Sequence, residues 1–98
     1  MNMEKRAAGA TLTIALQGRL DTTTSPELER EIRSGLSGVK ELIFDFSALD
    51  YISSAGLRVL LTAQKIMNRQ GRMVVCHVNE AILDVFEVTG FSDILTIE

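Results

Sequence analysis

An α/β domain with a mostly parallel sheet is predicted from two features of the chain. Strand-like stretches alternate with single amphipathic helix-length stretches from residue 11 onward, the pattern that places crossover helices between parallel strands. The chain has 98 residues, of which 46% are hydrophobic and 23% charged, which suits one packed core and excludes whole-chain disorder.

Thr11 to Leu16 alternates, with Leu12, Ile14 and Leu16 on one side and Thr11, Thr13 and Ala15 on the other, as in a half-buried strand. Glu4 to Ala8 is a weaker partner strand, joined through Gly9-Ala10 as a hairpin. Gly18 is expected to end the strand, with a polar loop from Asp21 to Ser25. A helix begins near Thr24 or Ser25. Thr24 and Glu27 have capping-box spacing, and Pro26 falls in the first turn, where its missing N–H costs nothing. Leu28, Ile32 and Leu36 share one face, and Gly35 or Gly38 stops the helix. Leu42 to Phe46 reads as the next strand. Ser53 or Ser54 caps a second helix that runs to about Gln70, with Gly71 as its stop. Met73 to Val78 is apolar and β-branched, a strand covered on both faces. Asn79 caps a third helix through Val88, Gly90 ends it, and Ile94 to Ile97 is a last strand. The order β-β-α-β-α-β-α-β gives one domain over residues 1–98. Its sheet is mostly parallel, four- to five-stranded, with an edge hairpin strand and about three helices.

Composition narrows the function. The longest apolar run is four residues, Met73 to Cys76, so no membrane insertion is expected. The amino-terminal residues are not followed by an apolar secretory segment. A single cysteine makes neither an internal disulfide nor a zinc site, and it fits a reducing, cytoplasmic location. A net charge of −3 provides no whole-surface field for nucleic acid.

Sites in open α/β sheets form outside the carboxyl ends of the parallel strands. Three loops are expected there: Gly18 to Thr24, Ser47 to Ser53, and Val78 to Asn79. They place Asp21, the threonines after it, Asp50, Ser53 and Ser54 along one edge. Ser54 opens the second helix, whose amino terminus carries free N–H groups and tolerates an anion. Gly56 in the first turn either lets a large group approach or relieves internal crowding. On the same helix Val59, Leu60, Ala63, Ile66 and Met67 form the core arc. Arg58, Thr62, Lys65 and Arg69 form the polar stripe. Leu57 and Leu61 lie on one flank, against either a partner or a neighbouring helix. Residues 51–79 hold no acid and four bases, whereas 80–98 hold five acids and no base, so the second and third helices are expected to pair their charges.

A serine hydrolase would need Ser54 as nucleophile, His77 as base and Asp21 or Asp50 to orient it. There is no Gly-x-Ser-x-Gly elbow, no phosphate-cradling glycine loop and no metal-ligand cluster. Cys76 and His77 are expected on opposite faces of one strand, which would separate them. No catalytic residue, metal or cofactor is therefore expected.

The stretch from Asp45 through Asp50-Tyr51-Ile52-Ser53-Ser54-Ala55-Gly56-Leu57-Arg58 to Leu60 resembles the signature of STAS-domain anti-sigma factor antagonists. Gly18-Arg19-Leu20-Asp21, Gly71-Arg72-Met73-Val74-Val75-Cys76 and Val85-Phe86-Glu87-Val88-Thr89-Gly90-Phe91 resemble three further family motifs, in register along the chain. The resemblance implies a STAS-type fold and a protein that binds an anti-sigma factor, a serine kinase-type ATPase, and so frees a sigma factor. It implies phosphorylation of the serine two residues before the motif glycine, which is Ser54, with Ser53 the alternative acceptor. It also implies a serine phosphatase that resets the acceptor. Asp21, Ser53, Ala55, Gly56, Leu57, Arg58 and Leu61 are the expected partner-binding residues. The chain departs from the pattern at Ser53, where aspartate is usual, and at Arg58, where many members carry a small residue. The same scaffold serves as an adaptor in transport or signalling complexes without sigma-factor regulation, which is the alternative reading.

Overall fold

A computed structural model describes Met1–Glu98. The elements in chain order are β1 (Asn2–Ala8), β2 (Thr11–Leu20), α1 (Ser25–Gly35), β3 (Glu41–Ile52), α2 (Ser54–Gln70), β4 (Arg72–Cys76) and α3 (Glu80–Thr89), followed by one 3-10 turn, Phe91–Asp93. The four strands form one sheet in the order β1-β2-β3-β4. β1 runs antiparallel to β2 across the Gly9-Ala10 turn, while β2–β3 and β3–β4 are parallel, as expected.

Strand periodicity fixes the core. Leu12 pairs with Leu42 and Ile14 with Phe44, and these in turn pair with Met73 and Val75, so one face of the sheet is continuously apolar. That face belongs to a single cluster with Leu28 and Ile32 of α1, Val59, Leu60, Ala63 and Met67 of α2, and Ile82 and Phe86 of α3. The helices thus form one layer over one sheet face, with Phe44, Phe46 and Phe86 fully enclosed between them. The other face carries the half-buried Thr13, Ala15, Ile43, Asp45 and Cys76.

Several boundaries differ from the sequence expectation: β1 begins at Asn2, ahead of Glu4, and β4 stops at Cys76, short of Val78. β2 does not stop at Gly18. The pairing slips between Ala15 and Gln17 and again at Gly18, where φ is +90°, and the strand then continues to Leu20. β3 likewise runs past Phe46 to Ile52, because Leu49 and Ile52 are buried and hold the extension against the core. The expected last strand is a single bridge. Phe91–Asp93 turns as a 3-10 segment and Leu95 drops into the core, which leaves Ile97 alone opposite Val75.

Candidate functional site

The long strand β3 delivers the chain to the edge where α2 begins. Ser53 is the cap residue, in extended conformation, and its hydroxyl accepts a hydrogen bond from the Gly56 N–H at 3.4 Å. Its own N–H donates to the Leu20 carbonyl at 2.9 Å, which ties the start of α2 to the end of β2. Ser54 is therefore the first helical residue. It is exposed, takes no part in the cap, and has no acidic residue beside it in the first turn. Arg58 stands one turn further along and is also exposed.

Two of the expected partner-binding residues of this turn are internal, and for Gly56 the crowding alternative is the one that holds. Gly56 does not leave backbone open to a large ligand. It is buried, and a Cβ there would lie 2.8 Å from both Ile52 Cγ1 and Leu20 Cγ, so the glycine serves close internal packing. Leu57 is only 6% exposed and belongs to the core cluster, so it is no part of an exposed partner surface. Ala55 and Leu61 are half-buried and remain at the surface margin.

The pairing of Leu20 with Ile52 sets the Asp21 loop beside this helix start. Asp21 holds its own turn. Its Oδ1 accepts from the Thr23 N–H at 3.0 Å, the Thr23 hydroxyl at 2.8 Å and the Thr24 N–H at 3.1 Å. The Thr23 hydroxyl is the largest of the influences that draw its carboxyl down to a pKa of about 2. The Asp21 N–H donates to the Thr24 hydroxyl, which in turn donates to the Arg19 carbonyl at 2.8 Å. The Thr24–Glu27 capping box therefore does not form. Thr24 sits in helical conformation with its side chain spent on the preceding loop. Asp21 makes no hydrogen bond to the Ser54 region, so its contribution is to shape the loop.

Sequence spacing gave no sign of one further feature. Arg19 and Tyr51 are cross-strand partners, and the guanidinium lies 4.0 Å from the ring centroid, with Arg19 Nε 3.6 Å from Asp21 Oδ2. Tyr51 is 41% exposed, so this stacked pair forms an amphipathic surface patch across the ends of β2 and β3, close to Ser54 in the chain. The register of two distant segments creates it, and that register is not written in either segment alone.

The expected charge pairing between α2 and α3 is absent. Arg72 bridges to Glu41 and Glu98, but Arg58, Lys65 and Arg69 make no ion pair with α3. α2 presents these bases unpaired, since its polar stripe turns to solvent. The expected separation of Cys76 from His77 also fails. β4 ends at Cys76, and His77 has φ +59°, so the alternation of a strand does not apply to it. One of its ring nitrogens, the Cys76 sulfur and one Asp45 carboxylate oxygen lie within 4.8 Å of one another. Burial and the neighbouring Asp45 charge push the Cys76 thiol pKa upward. No hydrogen bond links His77 to Ser54, so a serine–histidine pair is not assembled. Concavities of about 380, 550 and 300 Å³ lie elsewhere, and none includes Ser53 or Ser54 in its wall. No helix is long and apolar enough to cross a membrane.

A sequence model of the STAS domain matches residues 2–98. A protein of Bordetella bronchiseptica that carries the name anti-sigma factor antagonist BtrV is 38% identical over 88 residues, spanning 88% of this chain and 76% of the relative. The anti-sigma-B factor antagonist of Listeria monocytogenes is 31% identical over 91 residues, spanning 89% and 78% respectively. Among solved structures, an anti-sigma factor antagonist from Mycobacterium paratuberculosis superposes with TM-score 0.88 at 20% identity, covering 98% of this chain and 83% of that one. Unphosphorylated SpoIIAA superposes with TM-score 0.80 at 19% identity, covering 99% and 87%. These two structures share the fold described above.

Proposed function

The chain belongs to the STAS domain family, and from that premise we propose that it is an anti-sigma factor antagonist whose binding is switched by phosphorylation of Ser54. The dephosphorylated protein binds an anti-sigma factor and so frees a sigma factor. The partner is a serine kinase-type ATPase that transfers a phosphoryl group to the Ser54 hydroxyl, and a serine phosphatase removes it. The exchange takes place in the cytoplasm, and the chain is its substrate and supplies no catalysis of its own. The relatives named as anti-sigma factor antagonists support the partner class.

One observation carries the choice of residue: Ser53 takes the cap and leaves Ser54 exposed at the first helical position. The absence of a concavity around it favours a protein surface over a small molecule as its occupant. Phosphorylation adds about −1.5 to −2 charges. At a helix amino terminus the dipole favours that charge by about 0.3–1 kcal/mol, so the modification does not unfold α2. It acts at the interface, where burying an unpaired dianion costs several kcal/mol. About 3 kcal/mol is already more than a hundredfold in affinity.

The test is phosphorylation of the purified chain by its cognate anti-sigma factor and ATP, with the modified residue mapped by mass spectrometry. One phosphate on Ser54, lost in Ser54→Ala and retained in Ser53→Ala, is the expected result. Binding of the anti-sigma factor without any phosphate transfer would leave an antagonist with no serine switch. Failure to bind at all would overturn the partner assignment.

A further inference from the structure

We infer a zinc-type divalent-metal site where the carboxyl end of β4 lies beside the middle of β3, built from Asp45, Cys76 and His77. Asp45 and Cys76 are directly paired in the β3–β4 ladder, so their side chains rise from the same half-buried sheet face. His77 is the next residue, and in a continuing strand it would point away. Its left-handed backbone, φ +59°, takes it out of that alternation, and candidate donor atoms of all three residues lie within 4.8 Å of one another. Histidine is one of the few non-glycine residues enriched in that conformation.

The donor set selects the ion. A thiolate, an imidazole and a carboxylate together suit zinc, whereas calcium and magnesium take oxygen ligands. Zinc–ligand lengths of about 2.0–2.3 Å place tetrahedral donors about 3.3–3.6 Å apart, so closure asks for a movement of about 1 Å. The exposed His77 ring is the group free to make it. Asp45 Oδ1 already accepts the Ser47 N–H at 3.0 Å, which orients the carboxylate and leaves its second oxygen for the ion. Binding exchanges the thiol proton for the metal: the S–H bond breaks, an S–Zn bond forms, and the proton leaves to solvent. Three protein ligands leave a fourth position for water or for a donor from a partner. The ion would fasten the middle of β3 to the turn that precedes α3.

The experiment is titration of Co²⁺ into the reduced, full-length protein, read by thiolate-to-cobalt charge-transfer absorption, followed by displacement with Zn²⁺. A stoichiometric band that Zn²⁺ abolishes is expected. Cys76→Ser removes the band, and Asp45→Asn weakens binding by about tenfold or more, the least expected for loss of a ligand. His77→Gly suits the positive φ, so it keeps the fold while losing the ligand, and it also weakens binding by about tenfold or more. No charge-transfer band with equimolar Co²⁺, or binding unchanged in His77→Gly, overturns the site.

Discussion

At Ser53 and Ser54 the start of one helix assigns different work to two adjacent hydroxyls. The Ser53 oxygen satisfies a backbone donor of α2, whereas Ser54 turns outward with nothing to satisfy. Ser53→Ala is therefore expected to cost about 0.5–1 kcal/mol in urea unfolding, the lower part of the usual range for a lost cap because the bond is long. Ser54→Ala should stay within about 0.5 kcal/mol of wild type, as for an exposed site away from packing. Gly56→Ala tests the packing reading. Alanine gains about 1 kcal/mol of helix propensity, but its Cβ meets the buried Leu20 and Ile52 at 2.8 Å, and neither can swing away. Overlap in a packed core costs about 1–3 kcal/mol, so the propensity gain is cancelled and a net loss of up to about 2 kcal/mol is expected. Asp21 adds a pH dependence. Its folded pKa of about 2 lies below the ordinary 3.8, so its contribution is complete above about pH 4 and disappears as pH falls towards 2. In Asp21→Asn, acid unfolding curves should lose that component of the slope.

Among the elements, α2 is where fold and switch meet, and it also shows what sequence could and could not reveal. The four-residue spacing of Leu28 and Ile32 and the core arc of α2 located the helices, because a period of 3.6 is a local property. The ends of β2 and β3 were not legible, since a bulge at Gly18 and burial of Leu49 and Ile52 depend on the neighbouring strand. Thr24 had the right spacing for a cap, but Asp21 and the Arg19 carbonyl competed for its hydroxyl. Leu57 lies on the flank of a helical wheel, and its place in the core depends on what packs around α2, which a helical wheel does not show. Leu57→Ala is accordingly expected to cost about 2–5 kcal/mol in stability. Of the site, the serine pair was readable from the strand–loop–helix pattern, whereas the Arg19–Tyr51 stack and the Asp45–Cys76–His77 group arise from register and from one left-handed residue.

In the whole molecule, stability and recognition are separable. A phosphate on Ser54 sits at the favourable end of α2 with Arg58 one turn away, so the thermal midpoint should hold or rise by a few degrees, about what 0.3–1 kcal/mol gives a domain of this size. The basic stripe of α2, unpaired within the chain, stays available to an acidic partner surface on the same side of the sheet. Loss of binding without loss of structure is thus the signature of this design. It is measured most directly by calorimetric titration of the cognate anti-sigma factor with unmodified and fully Ser54-phosphorylated protein, alongside their circular dichroism. Superimposable spectra and an affinity weaker by about a hundredfold or more after phosphorylation are expected. Equal affinities, or weakened binding accompanied by an unfolded α2, would contradict an interface switch at Ser54.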